Sequence, residues 1–186
     1  TAVKDGDMTM TVMQDPIAQA QEAAATKTYQ EVYPDAASFD EPQELADAVT
    51  AAADSISEWG FGKVTINDAK EALDASGNQI GYLITSTSAE SYGGNVQIAV
   101  GITNEGELTG IGFLSISDTP GLGMRAKEPD FKDQFIGKKA ENLEVTKTGA
   151  SADNQIEAIS GATITSKAVT NATDAAIYFV ANCLAQ

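Results

Sequence analysis

The chain runs to 186 residues, 42% of them apolar, with 27 acidic against 11 basic side chains and a net charge of −16. That length suits one domain with its own core, and that charge excludes nucleic acid as a partner and disfavours an anionic membrane surface. Histidine is absent and Cys183 is the single cysteine; imidazole catalysis, the usual zinc sites, an internal disulfide and a cluster needing several thiolates all drop out.

Residues 1–14 are polar and without a period, and read as a tail or linker. The next stretch, DPIAQAQEAAATKTYQEVYP, places Asp15 as N-cap and Pro16 at the first helical position, with Pro34 ending the helix. PQELADAVTAAADSISEW predicts a second helix that stops near Gly60.

The pattern then turns to strands. EALDASGNQIGYLITSTS predicts a hairpin across Ser76, Gly77 and Asn78, and NVQIAVGITNEGELTGIGFLSIS a second one with Asn104, Glu105 and Gly106 at its tip. A Gly/Pro-rich loop, DTPGLGMRAKEPD, leads to a short helix near DFKDQF and a strand in NLEVTK. From Thr163 onward Ile164, Ala168, Ala172, Ala175, Ala176, Phe179, Val180 and Cys183 recur at helical spacing. Helices at both ends with consecutive strands between them predict an α+β fold: an antiparallel or mixed sheet of hairpins packed by N-terminal helices and a long C-terminal helix. No run of 18 apolar residues crosses a membrane as a helix.

Several motifs invite a chemical reading. GLGMRA fits the spacing of a dinucleotide fingerprint, but Pro120 precedes it, Pro129 follows it closely and no βαβ unit surrounds it. A rigid loop whose bare backbone approaches a flat ligand is the better reading. Glu128, Asp130 and Asp133 cluster as a solvated acidic face would, although a hydrolase built on two acids stays open. The acceptor-like triplet Asn171-Ala172-Thr173 falls within the last helix, and Cys183 on its apolar stripe.

The stretch ISGATITSKAV gathers four hydroxyls around a Gly-Ala pair. One reading is an N-capped helix, with Ser160 accepting from the first free amides. Another treats the helix start as an anion site, with the Thr163 hydroxyl in reach of a phosphate and Lys167 adding positive charge one turn on. Without an imidazole, Thr163 is a poor nucleophile by itself, but it is a suitable acceptor for a phosphate-bearing group attached by another enzyme.

EAISGATITSKAV resembles the covalent flavin-attachment motif of the FMN-binding domain family, and SDTPGLGMRAKEPDFKDQF resembles that family's second hallmark. The likeness spans about residues 15–184 and is nearest to the G subunits of Rnf electron-transport complexes, with the C subunits of sodium-translocating NADH:quinone oxidoreductases more distant. It implies an FMN-binding domain over 15–186 that carries FMN covalently, by a phosphodiester to Thr163, with Ser160, Gly161 and Ala162 before it and Thr165 and Lys167 beside it. It also implies that Thr119, Pro120, Gly121, Leu122 and Gly123 lie against the flavin and that Tyr92 borders it.

An electron-transfer subunit without independent catalysis follows from the resemblance. It would relay electrons in a membrane ion-translocating ferredoxin:NAD oxidoreductase. The implied partners are the other subunits and a flavin transferase. The implied location is the extracytoplasmic face of a bacterial membrane, held by an N-terminal anchor ahead of residues 1–14. Where the family has Asp six residues before the threonine, this chain has Glu157. The alternative is a non-redox module that binds or senses a phosphate ligand at the hydroxyl turn.

Overall fold

A computed structural model describes residues 25–116, 123–139, 143–147, 149 and 153–184. Residues 25–32 are helical, so the end of the first predicted helix is present; Asp15 and Pro16 lie outside the described residues. A short strand β1 (Ser38–Asp40) follows, and then the helix Gln43–Ala53. A 3-10 turn, Ile56–Trp59, extends that helix to Gly60, whose φ of 84° ends it in the left-handed region as the sequence predicts.

Four long strands form the centre: β2 (Val64–Leu73), β3 (Gln79–Ser91), β4 (Gly94–Thr103) and β5 (Leu108–Ile116). With β1 they make an antiparallel sheet in the order β1-β2-β3-β4-β5. The predicted hairpin at Ser76–Asn78 joins β2 and β3. Its turn is held by the Asp74 carboxylate, which accepts from the Asn78 and Ser76 amides at 3.0 and 2.8 Å. These bonds, chiefly those from Asn78, hold the Asp74 carboxyl below its ordinary range. Strand β2 begins at Val64, seven residues earlier than the predicted hairpin, because its first half pairs with the polar end of β3, Thr85 to Ser88. Register shifts in β2–β3, β3–β4 and β4–β5 curl the sheet.

The two faces of the sheet are covered differently. Ile84, Val96, Ile98, Val100 and Ile102 point to one face, where they pack with Val169, Ala172, Ala176 and Phe179 of the C-terminal helix, Thr163–Phe179. On the other face Val32, at the end of the first helix, packs on Leu83 and Ala99. The first helix sits close to the sheet because Gly112 lies beneath it: a Cβ there would stand 2.6 Å from Val32 Cγ2 and 2.7 Å from Thr28 Cγ2. The α+β architecture with N-terminal helices, hairpin sheet and long C-terminal helix is therefore present as predicted.

Three short elements finish the chain. The segment Pro129–Lys132 is helical and runs into a 3-10 turn, Asp133–Phe135, with Phe131 and Phe135 buried. Strand β6 (Glu144–Thr146) matches the strand predicted in NLEVTK, and it pairs in parallel with β7 (Gln155–Glu157), which the residue pattern does not announce. A π-helical turn, Val180–Leu184, follows the C-terminal helix and carries Cys183, partly buried against the core, its thiol pKa raised by burial.

Candidate functional site

The turn that introduces the C-terminal helix is built by backbone bonds. The Ala162 amide donates to the Ile159 carbonyl at 2.9 Å, closing a turn across Ser160 and Gly161. Gly161 has a φ of 80°, the left-handed value that the third residue of a type II turn requires. Helix geometry starts at Thr163, so the N-cap position falls on Ala162, whose side chain cannot cap the helix.

This corrects the capping role predicted for Ser160. The left-handed step at Gly161 carries the chain round before the helix begins, and Ser160 is left exposed. The stabilising hydroxyl comes instead from within the helix. Ser166 Oγ accepts the Ile159 amide at 3.0 Å and donates to the Ala162 carbonyl at 2.8 Å, so one buried side chain ties both ends of the turn. Nothing in the residue order marks Ser166 for this role; it needs the turn to fold back over the first helical turn.

The hydroxyls therefore divide into two groups. Thr165 and Ser166 are fully buried, and Thr165 Oγ1 accepts from Ser91 Oγ at 3.3 Å. Thr163 is half-buried and opens the helix; Ser160, Gly161 and Lys167 are exposed; Ala162 is buried. Because Ser91 ends β3, its bond to Thr165 brings the β3–β4 turn to the helix start. That turn carries Tyr92, 69% exposed, and Ile164 beside Thr165 is 54% exposed. The Ser91–Thr165 bond thus sets the turn that carries Tyr92 against the helix start formed by Ser160, Gly161, Ala162, Thr163, Thr165 and Lys167.

Of the Gly/Pro-rich loop, Thr119, Pro120, Gly121 and Leu122 lie outside the described residues. Gly123 is buried at the start of a 3-10 turn, Gly123–Lys127, with Ala126 fully buried against the core. A cleft of about 240 Å³ separates this turn from the segment Glu157–Ser160; Arg125, Phe131, Gln134 and Ile159 line it. Glu128, Asp130 and Asp133 are exposed, as the solvated reading requires, and the described residues hold no group of three metal-ligating side chains.

Elsewhere two carboxylates stand out. Asp174, in the C-terminal helix, is buried and accepts the Leu143 amide at 2.8 Å; burial raises its pKa to about 7 against that bond. Asp68 faces a separate groove of about 570 Å³ on the other face of the sheet, with Tyr29, Thr85 and Gln97. Burial raises its pKa also, opposed by Lys70 at 3.8 Å. None of the predicted site residues that are among the described residues lines that groove. The described residues include no helix long and apolar enough to cross a membrane.

A family model for the FMN-binding domain matches residues 91–178, from the β3–β4 turn to the C-terminal helix. The chain is 41% identical over 110 residues to the G subunit of the Na(+)-translocating ferredoxin:NAD(+) oxidoreductase complex of Acetobacterium woodii, covering 58% of this chain and 53% of that protein. It is 35% identical over 126 residues to the G subunit of the proton-translocating ferredoxin:NAD(+) oxidoreductase complex of Clostridium ljungdahlii, covering 62% and 67%. The chain thus spans about half the length of the first of these relatives. Among solved structures, the C subunit of the Na(+)-translocating NADH-quinone reductase from Parabacteroides distasonis shares the fold with a TM-score of 0.53 at 24% identity, covering 63% of each chain. NqrC from Shewanella oneidensis gives 0.50 at 19%, covering 60% of this chain and 54% of that one.

Proposed function

The chain belongs to the FMN-binding domain family, as a homologue of the G subunits of ion-translocating ferredoxin:NAD(+) oxidoreductases, and on that premise we propose that it carries FMN esterified to Thr163 and relays electrons within such a complex. The observation that carries this reading is the sorting of the hydroxyls. Thr165 and Ser166 are buried and hydrogen-bonded, whereas Thr163 stands half-buried on an exposed turn at the start of a helix whose cap position is an alanine.

The residues fit the group. The first amides of an α-helix have no partner within it, and Ala162 at the cap position offers them no side-chain oxygen. Together with the helix dipole they favour the single negative charge of a phosphodiester. Lys167 is exposed one turn on and adds a positive charge in a chain that is otherwise strongly acidic. Tyr92 and Ile164 offer apolar surface beside the helix start.

When bound, the flavin supplies the electron chemistry, and the protein supplies attachment, orientation and electrostatics. Attachment is the work of a separate flavin transferase. The bond from Thr163 Oγ to phosphorus forms, the anhydride bond of an activated FMN donor breaks, and the threonine proton passes to a base on the transferase. The domain acts on the extracytoplasmic side of the membrane, with the other subunits of the complex as its electron donors and acceptors.

Co-expression with a flavin transferase tests this. The intact mass should rise by FMN less one water, with peptide mapping placing the increment on Thr163 and the yellow colour surviving denaturation. An unchanged mass defeats the reading. Colour that washes out on unfolding supports instead a module that binds its phosphate ligand without a covalent bond.

A further inference from the structure

The two segments singled out by sequence, the Gly/Pro-rich loop ending at Asp130 and the turn before Thr163, lie 33 residues apart in the chain. One side chain joins them. Gln134 stands on the 3-10 turn Asp133–Phe135, between Phe131 and Phe135, which are 3% and 0% exposed, so its backbone is anchored in the core. Its carboxamide oxygen accepts the Glu157 amide at 2.8 Å, and its Nε2 donates to the Glu157 carbonyl at 3.1 Å. The same nitrogen lies 3.3 Å from the Asp130 carbonyl.

This is the bonding that a neighbouring strand would give. Glu157 ends β7, whose one strand partner among the described residues is β6, and Gln134 fills the place of a strand on its other side. The next residue, Ala158, donates to the Thr146 carbonyl at 2.8 Å, and the turn across Ser160 and Gly161 begins immediately after. Both Gln134 and Glu157 line the cleft between the two segments. The position of the turn is thus fixed on one side by Ser166 and on the other by Gln134.

We propose that Gln134 is a positioning residue for the modification of Thr163, holding the attachment turn in register with the segment that follows the Gly/Pro-rich loop. The proposal rests on the reading of Thr163 as the attachment residue. Gln134 touches neither the hydroxyl nor the cofactor. It acts through Glu157, by keeping the turn from drifting off the core while the transferase engages it.

The test uses the full chain with Gln134→Met, which keeps the side-chain length and removes both hydrogen bonds. Hydrogen exchange at the Glu157 amide, read without any flavin, should accelerate about tenfold, the factor that such bonds supply. The initial rate of Thr163 labelling, with purified transferase and its FMN donor, should fall about tenfold, since misplacing a reacting group by a small distance slows a bimolecular step by at least this much. Labelling at the wild-type rate despite faster exchange overturns the proposal, as does unchanged exchange. Should the Met variant fail to fold, Gln134→Ala, which also removes both hydrogen bonds, is read in the same way. A wild-type chain that takes no label sinks the attachment reading and this proposal together; a labelled wild type with an equally labelled variant sinks only this one.

Discussion

Asp174 holds the Leu143 amide at 2.8 Å from a position only 4% exposed, so the middle of the C-terminal helix is bolted to the segment leading into β6 by a carboxylate. A buried carboxylate favours its protonated form, and its pKa rises from 3.8 to about 7.

The sign of the pH dependence follows. The folded state holds the Asp174 proton more tightly than the unfolded chain does. The stability this gives is full below the unfolded pKa of 3.8 and is lost as pH rises through about 7. Over that interval the group should remove roughly 1.4 kcal/mol per pH unit. Asp174→Asn keeps an oxygen for the Leu143 amide and carries no charge. Urea unfolding at several pH values should show the variant gaining on the wild type as pH rises from the unfolded pKa of 3.8 to the folded pKa of about 7, and no further above it. A constant difference across that range counts against a titrating Asp174.

Ser166→Ala removes the hydroxyl that ties the turn to the helix. The Ile159 amide loses its acceptor in a buried position, which should cost about 1–3 kcal/mol of stability. Denaturant midpoints report the loss. An effect within experimental error means that water or a shifted turn satisfies the amide.

Gly161→Ala places a Cβ on a residue whose φ is 80°. The left-handed conformation should cost the alanine about 1–2 kcal/mol, and the turn should relax toward a different shape to avoid it. Calorimetry measures the cost, and slower labelling of Thr163 the displacement. A variant as stable as the parent means that the turn has another low-energy form.

Thr163→Ala and Thr165→Ala should behave oppositely. The first removes a half-exposed hydroxyl at a helix start and should abolish covalent labelling while stability stays within about 0.5 kcal/mol. The second removes a buried hydroxyl bonded to Ser91, so it should cost stability, about 1 kcal/mol, and leave labelling on Thr163. Intact mass and thermal melts of both variants separate the two roles. Label on the Thr163→Ala chain moves the attachment elsewhere.

Much of this was legible because its causes are local. Gly60, the Ser76–Asn78 turn and the apolar stripe of the C-terminal helix each carry their own physical signature, and each is found where that signature lies. The first half of β2, the parallel pair β6–β7 and the roles of Ser166, Ser91 and Gln134 depend on partners far along the chain. Gln134 and Glu157 are 23 residues apart, and neither residue type announces a clamp. Ser160 misleads for a related reason: hydroxyl residues crowd this turn, and only the backbone path decides which one falls beside the first amides.

The threonine stands at the rim of the core, on a helix whose inner residues are already packed by the sheet. Among the described residues, the apolar face of that helix is filled by the sheet without an added group. On the proposed attachment at Thr163, such a polypeptide would reach its final shape first and be decorated afterwards, with the bare protein as the material that a flavin transferase handles. Maturation can then be set by the supply of flavin, independently of how fast the chain is made.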